Sequence, residues 1–263
     1  MSLVDALAAD GLVAVVGAGG KKTTLYTLAD RLDRAVVTAT TRIPAFPERV
    51  ATLVETDDPV AALRAADPDD WPLGLVPGWA DDVRYEGYGP GTVAAVARAG
   101  EKHGLDATVV KADGARSRWL KAPAEHEPVI PATTDTVIPV ASARVVGGAL
   151  NEEHVHRPER VAAVTGREPG DELTVDDVAT VLTSPDGGLR AVPADATVVA
   201  LVNMVDDDAL RATAEGIAAG VLARSDRVDR VVTARMDEGR VVATFTSMCR
   251  LLASATSGSG NTA

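Results

Sequence analysis

Short apolar runs alternate with amphipathic stretches along most of this chain. Residues 12–16 form the first apolar run, and residues 23–32 behind it carry apolar side chains at helical spacing. Further strand-length runs lie at 35–39, 107–112, 136–140 and 197–202, and helices are predicted at 59–66, 91–102, 158–164, 175–182 and 208–224. The strand runs are continuously apolar, which is typical of strands covered on both faces. The pattern therefore predicts a mostly parallel, doubly wound α/β sheet.

The C-terminal part of the chain has a different pattern. Two apolar runs, 228–233 and 240–246, flank the turn sequence Asp237-Glu238-Gly239, which predicts a hairpin at an edge of the same sheet. The apolar pattern then fades, and we predict a disordered tail over 251–263. Residues 1–250 are predicted to form a single domain.

A glycine- and lysine-rich segment follows the first strand and opens the first helix. Glycines let backbone amides turn toward an anion, a helix N-terminus adds partial positive charge, a lysine reaches phosphate oxygens, and a hydroxyl can hold Mg²⁺. The spacing departs from Gly-x-x-x-x-Gly-Lys-Ser/Thr, which would need a further glycine upstream and a hydroxyl at position 22. We predict a phosphate-binding loop formed by Gly17, Gly19, Gly20, Lys21, Lys22, Thr23 and Thr24.

Two assignments of the lysines fit this segment. Lys21 directly follows the glycine pair, and we favour it as the catalytic, phosphate-binding lysine, with Thr23 or Thr24 reaching the metal. In the alternative, Lys22 and Thr23 fill these roles. An ordinary glycine-rich turn with solvent-exposed lysines would explain the same residues without any ligand.

The ends of neighbouring strands are expected to face this loop. Asp113 follows the run 107–112, at the position where an acidic residue would hold Mg²⁺ or a water molecule, so we predict Thr23 and Asp113 as metal ligands. Thr41 follows the second strand and is predicted to face the phosphates or the substrate. A helix cap or a turn is the structural alternative for each. Asn203-Met204-Val205-Asp206 matches a guanine-reading motif only weakly, which leaves both ATP and GTP open.

The loop after Asp113 carries a cluster of charged and titratable side chains. Arg116 and Lys121 add positive charge beside Asp113, and His126 lies among candidate proton carriers that include Glu127. A solvated loop of mixed charge is the alternative. No cysteine accompanies His154 and His156, so a contact with substrate or a structural role fits His156 better than a metal site.

The composition limits the classes of partner. The chain has 38 acidic against 26 basic residues and a formal net charge of −12, which disfavours nucleic acid and anionic membranes. A single cysteine, Cys249, indicates a reducing compartment. No membrane-length apolar run or signal peptide is visible, so we expect a cytoplasmic protein. The abundance of aspartate and arginine fits a halophilic source or a GC-rich mesophile.

Four blocks of sequence resemble the YqeC family: 17–21, 38–42, 111–116 continuing through 120–131, and 155–159. The third block is long and unusual, and is the most specific. Members of that family are regarded as accessory proteins of selenium-dependent molybdenum hydroxylases, acting in selenium cofactor biosynthesis. The resemblance implies a role in maturing such a hydroxylase or its cofactor, with the hydroxylase as client.

Two residues depart from the family pattern. Lys22 stands where the family usually has a hydroxyl residue, and Lys111 stands where it usually has glutamate. The first removes a possible Mg²⁺ ligand, and the second replaces a carboxylate with a cation. Both departures weaken the expectation of hydrolysis more than that of nucleotide binding.

These features together predict a three-layer α/β fold of P-loop NTPase type that binds ATP or GTP with Mg²⁺. Lys21 and Asp113 are the predicted catalytic residues, and Arg116, Lys121, His126 and His156 are predicted to face substrate or client. Two other functions fit the same residues. One is a small-molecule kinase or ATP-dependent ligase acting on an acidic substrate, and the other is a non-hydrolysing, nucleotide-dependent adaptor.

Overall fold

The computed structural model describes residues 1–247. The helices are α1 (Leu3–Leu7), α2 (Lys21–Ala29), α3 (Pro59–Ala65), α4 (Pro90–Glu101), α5 (Pro158–Thr165), α6 (Val175–Thr183) and α7 (Asp208–Arg224). The strands are β1 (Gly11–Gly17), β2 (Ala35–Ala39), β3 (Ile43–Pro44), β4 (Thr52–Glu55), β5 (Leu73–Val76), β6 (Trp79–Asp81), β7 (Arg84–Tyr85), β8 (Ala107–Lys111), β9 (Leu120–Lys121), β10 (Thr136–Ser142), β11 (Val155–His156), β12 (Thr197–Asn203), β13 (Arg230–Arg235) and β14 (Arg240–Phe245).

Nine strands form the central sheet, in the order β14-β13-β12-β10-β1-β8-β2-β5-β4. Neighbouring strands are parallel except β13 and β14, which pair as an antiparallel hairpin at one edge. The predicted parallel sheet and its edge hairpin are therefore confirmed. Two small sheets accompany it, β3-β7-β6 and β11-β9.

Helices cover both faces of the central sheet, which explains why its strands are apolar without alternation. In β1, Val13 and Val15 pack on the face that carries α1 and α2. Leu12 points to the opposite face and packs with residues of α3 and α4. Farther along that second face, β12 and β13 pack against α6 and α7. This is a three-layer α/β architecture consistent with the predicted P-loop NTPase-like fold.

Several elements differ from the sequence prediction. α2 begins at Lys21, because Gly20 serves as its N-cap in a left-handed conformation and both lysines join the first turn. α1, β4 and β5 were not predicted, since they are four or five residues long and too short to display a period. The predicted tail over 251–263 and Cys249 lie outside the described residues. Among the helices of residues 1–247, none combines the length and apolar character that crossing a bilayer requires.

Candidate functional site

The glycine-rich loop and Asp113 meet at one edge of the central sheet. β1 and β8 are adjacent and parallel, with Val15 opposite Lys111, so both strands end at the same level. β10 flanks β1 on its other side and pairs Val140 with Gly17. The loop therefore lies between the ends of β8 and β10, directly before α2.

The glycines of this loop are required by close packing. Gly17, Gly19 and Gly20 have φ values of 89°, 87° and 116°, which favour glycine. A Cβ on Gly17 would collide with the Val140 carbonyl, and one on Gly19 with the Ser142 amide. A Cβ on Gly20 would collide with the side-chain amide of Asn203. Packing against the ends of β10 and β12 thus explains the glycines even before a ligand is considered.

The first three amides of the loop donate to acceptors within the protein. Gly17 N donates to Asp113 Oδ2 at 3.0 Å. Ala18 N donates to the Val140 carbonyl at 2.9 Å and Gly19 N to the Arg118 carbonyl at 2.8 Å. α2 by contrast begins without a side-chain cap, and the first amides of a helix have no intrahelical partner. The amides that could face an anion are therefore those at the start of α2.

A buried network of charges lies beside the loop. Lys21 Nζ is 2.8 Å from Asp113 Oδ1 and also donates to the Gly17 carbonyl. Lys121 Nζ is 2.9 Å from Asp113 Oδ2 and 2.9 Å from Glu127 Oε2. Arg157, the N-cap of α5, completes the network with Nη1 2.7 Å from the same Glu127 oxygen. The network joins β1, α2, β9 and α5 around the end of β8.

Opposing influences set the pKa values in this network. Burial alone would raise the pKa of Asp113, but Lys21 and Lys121 hold it below its ordinary value. Burial likewise opposes ionisation of Glu127, yet Lys121 and Arg157 lower its pKa to about 2. Burial lowers the pKa of the Lys21 ammonium despite the attraction of Asp113. Glu127, considered above as a proton carrier, is therefore ionised at neutral pH and acts as a counter-ion.

Lys111 ends β8 and adds another buried ammonium. Its Nζ donates to Thr41 Oγ1 at 2.8 Å and to the Arg42 carbonyl at 2.7 Å. Burial, reinforced by the charge of Lys21, lowers the pKa of Lys111 to about 7. The structure thus places the predicted residue Thr41 against Lys111, at the end of β8.

The three lysines differ in the hydrogen-bonding capacity they have left. Lys121 Nζ is surrounded by three oxygens, from Gly114, Glu127 and Asp113, which match its three N–H donors. Lys21 and Lys111 each contact two oxygens, so the protonated form of each has a third N–H donor for another acceptor. Lys121 is therefore arranged to position the two carboxylates, whereas Lys21 and Lys111 have fewer acceptors within the protein.

The remaining predicted residues lie at different depths. Thr24 is buried and its hydroxyl donates to the Gly20 carbonyl at 3.1 Å, while Lys22 and Thr23 are half-buried on the first turn of α2. Arg116 and His126 are exposed. Their predicted contacts with phosphate, metal or substrate stay predictions.

His156 lies next to the network. It is half-buried and pairs with Lys121 where β11 runs beside β9. Burial, followed by the charges of Arg157 and Lys121, lowers the pKa of His156 to about 4. Its imidazole is therefore neutral near pH 7.

Sequence reasoning missed the roles of Arg157 and Asn203. Arg157 has a φ of 61°, in the left-handed region. In the sequence, only its position within the block 155–159 indicated that it could belong to the site. Asn203 Nδ2 donates to the Gly19 carbonyl at 2.9 Å, and its Oδ1 accepts the Met236 amide at 3.0 Å. Asn203 thus ties the glycine-rich loop to the end of β13, a structural role that the weak guanine motif did not indicate.

Asp113, one of the two predicted Mg²⁺ ligands, forms ion pairs with lysines. Both Asp113 oxygens are paired with lysines, and one also accepts the Gly17 amide. Within residues 1–247, no three side chains among histidine, cysteine, aspartate and glutamate are grouped so that they could hold a metal ion. Ligation of Mg²⁺ by Thr23 and Asp113 stays a prediction.

Comparison with known proteins identifies similar sequences. The family model described as YqeC protein matches residues 13–159, a range that runs from β1 through the glycine-rich loop and Asp113 to Arg157. The uncharacterized protein YqeC of Escherichia coli (strain K12) is 31% identical over 186 residues, which covers 69% of this chain and 71% of that relative.

Proposed function

This chain belongs to the YqeC family, and we propose that it binds the polyphosphate of ATP or GTP at the start of α2. The observation that carries the proposal is the pair of buried ammonium groups, Lys21 and Lys111, each with an N–H donor left for an anion. A buried cation that lacks a full set of acceptors is costly, and a phosphate oxygen would supply the missing acceptor.

The charge of the site supports an anionic ligand. Three cations and two carboxylates form the network, namely Lys21, Lys121, Arg157, Asp113 and Glu127, and Lys111 adds a fourth cation beside it. With Lys111 protonated, the cations outnumber the carboxylates by two. The chain as a whole carries a net charge of −12, so this local excess of positive charge runs against the overall composition.

The position of the site in the fold also supports the proposal. Ligands of open α/β sheets bind beyond the carboxyl ends of the strands, and phosphates favour helix N-termini. Both features coincide where β1 and β8 end and α2 begins without a side-chain cap.

Calorimetric titration tests this function. We expect ATP or GTP, or their slowly hydrolysed analogues, to bind the wild-type chain, and Lys21→Ala to weaken binding at least tenfold, since a charged hydrogen bond contributes about 1.5–3 kcal/mol. Lys22→Ala tests the other lysine assignment, and Lys102→Ala, in an exposed position after α4, is the matched control. Absence of binding by either nucleotide, with or without Mg²⁺, would refute the proposal.

A second candidate is binding without turnover, as in a nucleotide-dependent adaptor. It is favoured by the engagement of both Asp113 oxygens, which leaves this carboxylate poorly placed to hold a metal or to orient water. Measurement of phosphate release from bound nucleotide separates the two. Turnover stimulated by an acidic small molecule alone would instead favour a kinase or ligase.

For the cellular role, we propose an accessory function in maturing a selenium-dependent molybdenum hydroxylase or its cofactor, as the family resemblance implies. The exposed residues Arg116 and His126, in the loop after Asp113, would face this client. The test is a hydroxylase purified from cells that lack this protein: its activity should rise when the protein and nucleotide are added. No rise under those conditions would count against the role.

A further inference from the structure

We propose that the site holds the polyphosphate of its nucleotide with the ammonium groups of Lys21 and Lys111, without a divalent cation. This inference rests on the proposed nucleotide binding and concerns how the charge of the ligand is neutralised. In most nucleotide sites, a metal ion bridges the phosphate oxygens and neutralises the charge there. Here the protein itself places Lys21 at the start of α2 and Lys111 at the end of β8, where such a metal ion would otherwise bind.

Lys21 and Lys111 can each donate one more hydrogen bond when they are protonated. Lys21 lies on the first turn of α2 and Lys111 at the end of β8, and each Nζ has two protein acceptors and a third N–H left over. Both ammonium groups are buried, and the charge of Lys21 acts on Lys111. An anion that accepts from both would therefore relieve their mutual repulsion.

The two nearby carboxylates, Asp113 and Glu127, are already paired with cations of the protein. Asp113 accepts the Gly17 amide and forms ion pairs with Lys21 and Lys121, so a metal ion bound by this carboxylate would compete with both lysines. Glu127 is likewise held, by the Gly114 amide, Lys121 and Arg157. Carboxylate oxygens are the protein ligands that Mg²⁺ prefers, and both nearby carboxylates already serve as counter-ions to lysine or arginine.

The lysine ammonium groups would repel a divalent cation bound beside them. A divalent cation in this corner would lie close to the buried ammonium groups of Lys21 and Lys121, and to that of Lys111 when this side chain is protonated. Like charges repel strongly where water is excluded, so the arrangement disfavours a bound metal ion and favours an unchelated polyphosphate.

The test compares binding with and without metal. The full chain is titrated with ATP, GTP and inorganic tripolyphosphate, once with excess Mg²⁺ and once with excess EDTA. We expect a nucleotide to bind in EDTA at least as tightly as in Mg²⁺, and tripolyphosphate to compete with it. Binding that requires Mg²⁺ would overturn this inference while leaving nucleotide binding intact. Absence of binding under both conditions would overturn nucleotide binding itself.

A variant tests the assignment of Lys111. Lys111→Met should lower the affinity for nucleotide in EDTA about tenfold, since it removes one charged donor. Lys102→Met, which removes an exposed lysine, should leave that affinity unchanged. Wild-type affinity in a folded Lys111→Met protein would overturn the role of Lys111. If this variant does not fold, the wild-type comparison of Mg²⁺ with EDTA still decides the inference.

Discussion

The carboxylate of Asp113 accepts the backbone amide of Gly17 at 3.0 Å, so the residue that follows β8 satisfies the first amide of the glycine-rich loop. The same carboxylate neutralises Lys21 and Lys121. Asp113 therefore occupies, within the protein, the kind of position that a bound phosphate would take: a negative group among a loop amide and lysines. The proposed ligand binding would therefore be linked to the stability of this corner.

Replacement of Asp113 by asparagine should lower the free energy of unfolding, and a bound polyphosphate should offset part of that loss. The substitution keeps an acceptor for Gly17 but removes the charge between Lys21 and Lys121, and breaking such a buried pair costs about 3–5 kcal/mol. Urea denaturation measures the loss. A bound polyphosphate should restore more stability to Asp113→Asn than to wild type, because the anion replaces the missing charge.

Asp186→Asn provides the matched control. Asp186 pairs with Arg190 at 3.0 Å on the surface, where an ion pair contributes at most about 1 kcal/mol. If Asp113→Asn were no more destabilising than Asp186→Asn, the buried network would not contribute to stability as described.

Gly19→Ala should destabilise the chain by about 2–6 kcal/mol. Its left-handed backbone would be strained by a side chain, at about 1–3 kcal/mol, and its Cβ would collide with the Ser142 amide at a similar cost. Gly91→Ala, in the first turn of α4 with open space around it, should be neutral or stabilising by up to about 1 kcal/mol. Equal thermal stability of the two variants would contradict the packing explanation of the loop.

Asn203→Ala should lower stability and leave nucleotide choice unchanged. The substitution leaves the Gly19 carbonyl and the Met236 amide without this hydrogen-bond partner, which costs about 1–3 kcal/mol for each buried group left unpaired. Asn151→Ala, which removes one turn hydrogen bond to Glu153, is the milder comparison. A changed ratio of ATP to GTP affinity in a folded Asn203→Ala protein would instead indicate that this side chain reads the base.

Glu127→Gln should reduce the loss of folding stability that the wild-type chain shows as the pH falls below about 4.5. The pKa of Glu127 is about 2 in the folded chain against an ordinary value of 4.5, so the unfolded chain takes up its proton first as the pH falls. The stabilisation is complete above about pH 4.5 and is lost between there and about pH 2. Glu125→Gln, two residues away and exposed, should leave the profile as in wild type when unfolding is followed by circular dichroism.

The sequence by itself determined the α/β class, the main strands of the sheet and the edge at which the glycine-rich loop meets Asp113. Continuously apolar runs gave β1, β8, β10 and β12 because strands buried on both faces must be apolar throughout. Residues that follow parallel strands meet at one edge, so the glycine-rich loop and Asp113 were expected together, and the structure places them in contact.

Only the tertiary structure decided which partners the loop and the lysines take. Gly17 and Asp113 are 96 positions apart, and Asn203 and Gly19 are 184 apart, so no local period or spacing encodes these contacts. The same holds for the carboxylates: sequence marked Asp113 and Glu127 as free for metal or proton chemistry, whereas packing surrounds both with cations. Burial is the physical reason, since a carboxylate withdrawn from water is stable as an anion only where the fold supplies a positive charge beside it.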